Sequence, residues 1–97
     1  MDIQNIIQTL KAYNPQKVLL FGSYATGTAH GDSDIDIAII KDTTLSYHDR
    51  LIEVRRLLRT TTPIDIFVFT QQEIRKSQDT NPFIHEIMTH GTVMYEQ

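Results

Sequence analysis

The chain has 97 residues, 40% hydrophobic and 22% charged, with four glycines, three prolines and no cysteine. That composition excludes a disordered, collagen-like or low-complexity chain, a disulfide framework and a thiolate metal site. Nine Lys plus Arg against twelve Asp plus Glu leave a net charge of −3, which argues against stable, non-specific binding to nucleic acid.

A single domain over residues 1–97 is expected, since a chain of this length buries roughly 60 to 70 per cent of its extended surface around one core. No apolar run approaches the ~20 residues of a membrane span. Met1-Asp2-Ile3-Gln4 lacks the basic start and apolar core of a signal, so no membrane partner is expected and the default compartment is the cytoplasm.

In chain order, Ile3, Ile6, Ile7 and Leu10 recur at helical spacing with Tyr13 one turn on. Asn14-Pro15 ends that helix, because the residue before proline avoids the helical region. Val18-Leu19-Leu20-Phe21 is a short apolar run that stops at Gly22 and reads as a buried strand. Residues 22–31 hold three glycines with Ser23, Thr26 and Thr28, which is loop chemistry.

Asp34 to Ile40, DIDIAII, is β-branched and partly alternating and predicts a second strand. Ser46 caps a predicted helix with Tyr47, Leu51, Val54 and Leu58 on one face. Ile64 to Thr70, IDIFVFT, is a third strand, and Gln71 to Gln78 reads as helical. Asn81-Pro82 starts a last helix that ends at Gly91, and Val93-Met94-Tyr95 can add an edge strand. The expected class is α+β (α/β), a mixed sheet of three to four strands flanked by helices.

Three carboxylates stand where strands should be apolar. Asp34 and Asp36 are two apart, so both leave one face of the strand, ~7 Å apart along its axis. Asp65, flanked by isoleucines, joins them if the second and third strands are neighbours. Like charges converging near a core need a counter-charge, and oxygen-only ligands suit Mg²⁺ or Mn²⁺. A single Asp of this kind is more often a strand-start or turn residue, and Asp32-Ser33-Asp34 fits that reading. The pair plus Asp65 tips the balance toward a metal site. Just upstream, Gly22-Ser23 leaves a strand into a loop, where backbone N–H groups favour anions. There is neither a Gly-Lys-Ser/Thr phosphate loop nor a GxGxxG fingerprint.

Gly22-Ser23, ten residues, then Asp34-Ile35-Asp36 is the GSx10DxD pattern, here GSYATGTAHGDSDID. It resembles the DNA polymerase β-type nucleotidyltransferases, and within them the minimal nucleotidyltransferases, from Val18 through Tyr95. Asp65 in PIDIFVF matches the third carboxylate of that family. The resemblance implies that Asp34 and Asp36 bind two Mg²⁺, that Gly22 and Ser23 hold the nucleotide phosphates, and that Asp65 sits at the metal beside the attacking hydroxyl. It implies transfer of a nucleoside monophosphate, AMP from ATP, with release of pyrophosphate.

Minimal members are paired with a HEPN-domain ribonuclease toxin, so the resemblance further implies an antitoxin that adenylylates a tyrosine of that toxin. A masking antitoxin without catalysis and a small-molecule nucleotidyltransferase are the alternatives. One departure stands out: Thr26 replaces the arginine of GSxARG-like runs, and Lys17 or an arginine of the second helix is the candidate substitute. Otherwise Arg50, Arg55, Arg56 and Arg59 read as a solvated helix face, and His30, His48, His85 and His90 as surface or loop residues.

Overall fold

The computed structural model describes residues 3–22, 35–59 and 63–97. Within them the β-branched runs form one sheet. Its strands are β1 (Lys17–Phe21), β2 (Ile35–Ile40), β3 (Ile64–Phe69) and β4 (Thr92–Glu96), in the order β3-β2-β1-β4. β1 runs antiparallel to β2 and β4, whereas β2 and β3 are parallel, so the sheet is mixed. A parallel pair needs a long crossover, and helix α2 (Tyr47–Leu57) lies in it. The anticipated last strand is the edge strand β4, paired with β1 across a register shift between Val18 and Leu19.

The remaining helices are α1 (Ile3–Leu10), continued by a 3-10 turn (Lys11–Tyr13), α3 (Gln71–Ser77) and α4 (Pro82–His90). Each start after the first is fixed by a side chain that accepts from free backbone donors. Ser46 accepts from Asp49 N–H, Thr70 from Glu73 N–H, and Asn81 from the N–H groups of Phe83 and Ile84. Pro82 stands at the first helical position, where its missing donor is harmless. The first helix ends where the sequence placed its end, but by another device. Asn14 is in the left-handed region (φ 58°) and its N–H bonds to Lys11 O, rather than being extended before Pro15.

Strand alternation divides the core. Ile35, Ile37 and Ile39 of β2, Val18 and Leu20 of β1, and Ile64, Ile66 and Val68 of β3 face α1 and α2, meeting Ile6, Leu10, Tyr13, Val54 and Leu58. The other face carries Leu19, Phe21, Ala38 and Ile40 with Phe67 and Phe69, under Ile74 of α3 and Ile84 and Ile87 of α4. The result is the expected α+β class, a four-stranded mixed sheet with helices on both faces. No described helix is long and apolar enough to cross a membrane.

Candidate active site

Asp36 lies on the α3/α4 face of the sheet, the face of Ala38 and Ile40. The register pairs it with Phe21 of β1 on one side and with Asp65 of β3 on the other. Phe21, Asp36 and Asp65 therefore form one row across three strands, with Leu19, Ala38 and Phe67 as the row behind. Along this row Phe21 is buried, Asp36 half-buried and Asp65 exposed.

Gly22 follows Phe21 and has φ +73°, a conformation that side-chain-bearing residues rarely adopt. A Cβ built on it would lie 2.2 Å from Asp36 Oδ2, so the backbone passes directly against that carboxylate. Of the five expected site residues, Gly22, Asp36 and Asp65 are brought together at one end of the sheet. Ser23 and Asp34 lie outside the described residues, as do Thr26 and His30.

Two carboxylates in adjacent strands and on one face offer oxygen-only donors, the chemistry that Mg²⁺ or Mn²⁺ takes. The glycine keeps a side chain out of the space against Asp36. The residues present thus fit a divalent metal. Among the described residues no three possible ligands converge, and the third carboxylate of the expected set is Asp34.

The basic residues behave differently from expectation. Lys17 starts β1, four residues or ~13 Å from Phe21, and pairs with Glu96 at 3.0 Å. It therefore lies at the opposite end of β1 from the Phe21–Asp36–Asp65 row. Arg50 is not part of a solvated face, being 6% exposed. Its Nη1 donates to Glu73 Oε1 (2.8 Å) and Val68 O (3.2 Å), its Nη2 to Glu73 Oε2 (3.3 Å), and its Nε to Leu45 O (3.0 Å).

That guanidinium holds the Glu73 carboxyl below its ordinary value, against a smaller opposing effect of burial. Arg50 is a clamp between α2, β3 and α3, and is occupied there. Arg55 reaches the carboxylate end along the outer edge of β3, where Nη2 donates to Ile64 O (3.1 Å), one residue from Asp65. Arg56 and Arg59 are exposed, as are His48, His85 and His90.

Two features of this region were not anticipated from sequence. The Thr70–Glu73 capping box, with Glu73 N–H to Thr70 Oγ1 at 3.1 Å and Thr70 N–H to Glu73 Oε1 at 2.8 Å, is legible in the spacing Thr-x-x-Glu. The other is an aromatic group beside the carboxylates. Phe21 and Phe67 have ring centroids 5.8 Å apart, and Phe83 of α4 stands edge-on to both, at 5.7 and 4.9 Å. Nothing in the local pattern brings position 83 to positions 21 and 67.

Sheet order, with two carboxylates in one row at one end of the sheet, gives a nucleotidyltransferase-like fold with an acidic end. The family model "Polymerase beta, Nucleotidyltransferase" matches residues 4–97, and the chain belongs to that family. Among solved structures it is similar to a Sulfolobus solfataricus protein assigned as a nucleotidyltransferase. That likeness has TM-score 0.67 and 20% identity over 97% of this chain and 77% of the other. It is also similar to a toxin–antitoxin solved with AMP-PNP, at TM-score 0.72 and 27% identity over 100% of this chain and 75% of that one. A mutant of the toxin–antitoxin MntA–HpeT aligns at TM-score 0.69 and 24% identity, again over 100% and 75%. No significant match occurs among curated proteins.

Proposed function

We propose that this chain is an antitoxin that transfers AMP from ATP to a tyrosine hydroxyl of a partner HEPN ribonuclease toxin. The observation that carries the transferase reading is the row of Asp36 and Asp65 closed by Gly22. The toxin–antitoxin neighbours, one solved with AMP-PNP, support a nucleotide substrate and a toxin partner.

Asp34, Asp36 and Asp65 are the residues that would hold two Mg²⁺, which when bound stabilise charge on the attacking and leaving oxygens. Gly22 and Ser23 accept the triphosphate through their backbone N–H groups and the Ser23 hydroxyl. The acceptor oxygen bonds to the α-phosphorus as the bridge to the β-phosphate breaks, and pyrophosphate leaves. Asp65 orients the acceptor hydroxyl and takes its proton. It is exposed on the edge strand β3, so an acceptor carried by another protein can approach it from that side.

The test is mass spectrometry of a HEPN partner incubated with this protein and Mg·ATP. An AMP adduct on a tyrosine is expected with the wild type and none with Asp36→Asn. A partner that is bound and silenced but carries no adduct would make this chain a masking antitoxin instead. Modification at the wild-type rate by Asp36→Asn would remove Asp36 from the metal site.

A further inference from the structure

From its place on α4 we infer that Phe83 is the platform on which the base of the nucleoside triphosphate stacks, an inference that rests on the transferase reading above. The inward stripe of α4 is Ile84 and Ile87 with Met88 half-buried, and Phe83 stands at its margin, 42% exposed. An unsupported phenylalanine at a helix start would turn freely in solvent. The ring of Phe83 instead packs edge-on against Phe67 (4.9 Å, 63°) and Phe21 (5.7 Å, 80°).

Those two rings come from strands on either side of β2, whose backbones lie ~9.6 Å apart. Their centroids are only 5.8 Å apart, so they lean toward each other over β2, where the small Ala38 stands in the row behind Asp36. The aromatic group is therefore continuous with the carboxylate row. Phe21 is the cross-strand partner of Asp36, and Phe67 is two residues along β3 from Asp65. One ribose separates an α-phosphate from its base, a reach comparable to two residues along a strand, ~7 Å. A triphosphate anchored at Gly22 and Asp36 thus places its base within reach of the exposed part of Phe83. Every base has a π-face, so such a platform adds affinity without hydrogen-bond selection and favours the larger purines.

The test compares two probes by titration in Mg²⁺, AMP-PNP and inorganic tripolyphosphate, which has the charge but no base. Phe83→Ala and Phe83→Leu should weaken AMP-PNP binding by about ten-fold or more and leave tripolyphosphate unchanged, whereas Phe83→Tyr should keep both. The leucine retains apolar volume, so its loss of binding reports the ring and not the packing. Unchanged AMP-PNP affinity in Phe83→Ala, or equal loss of both probes, overturns the assignment while leaving the transferase reading intact. A wild type that binds neither probe overturns the transferase reading and this inference with it.

Discussion

Asp65 and Asp36 share a row but not a setting, since Asp36 is half-buried against Gly22 and Asp65 is exposed on the edge strand. The exposed carboxylate suits a role toward an incoming hydroxyl, and the enclosed one a role toward the nucleotide. Asp65→Asn should leave folding within about 0.5 kcal/mol of wild type, as surface changes do. Calorimetric titration should find Mg·AMP-PNP binding largely kept, because the residues proposed to hold the nucleotide, Gly22, Ser23, Asp34 and Asp36, remain. Transfer should fall by about 10² to 10⁴, the usual loss for a removed general base. Binding lost with activity would put Asp65 in the nucleotide site. Both retained would make it a strand-start aspartate, the reading the sequence alone also allowed.

Among the described residues the elements formed within a residue or so of where the sequence put them, chiefly because Ile, Val and Leu stripes buried on two faces of a sheet are encoded locally. The carboxylate pair was legible for the same reason, since an Asp inside an isoleucine run breaks a pattern that a core would keep. What the sequence did not convey is tertiary. Arg50 sits on the inward stripe of α2, one turn before Val54, and only the fold brings Glu73 and two main-chain carbonyls to it. With Arg55 on Ile64 O, it also occupies outward carbonyls of the edge strand β3, which blunts pairing with another chain.

The Arg50–Glu73 pair has a pH signature. Glu73 is held below its ordinary value of 4.5 chiefly by the hydrogen bond from Arg50, so the folded state binds that proton more weakly than the unfolded state. The stabilisation is complete above 4.5 and is lost as pH falls through the lowered folded value. The pair's side chains are 8% and 45% exposed, so the contribution, discounted for screening, is about 1 kcal/mol. Urea unfolding of wild type and Glu73→Gln should therefore differ by about that amount at neutral pH and converge in acid. A gap that does not shrink as the pH falls below the ordinary carboxylate range would mean that the Glu73 charge is not its source.

At the scale of the molecule the two ends of the sheet are built for different tasks. The far end is tied by Lys17 to Glu96 (3.0 Å), by Gln97 N–H to Gln16 O (3.0 Å), and by Lys41, which donates to Tyr13 O and lies 3.9 Å over its ring. The opposite end sets two acidic residues side by side across the parallel β2–β3 pair, where a bound cation offsets their like charges. Mg·AMP-PNP at a hundred times its Kd should stabilise the wild type by about 2.7 kcal/mol. For a domain of this size that is a rise in Tm of roughly 10 to 20 °C. The rise should vanish when EDTA removes the metal, and it should be small or absent in Asp36→Asn, which loses one carboxylate of the proposed metal site. Differential scanning fluorimetry of the two proteins, with and without EDTA, reads all of these shifts. A nucleotide-induced rise that survives EDTA would mean that the triphosphate is held without the carboxylate row, and the metal assignment of Asp36 and Asp65 would fall.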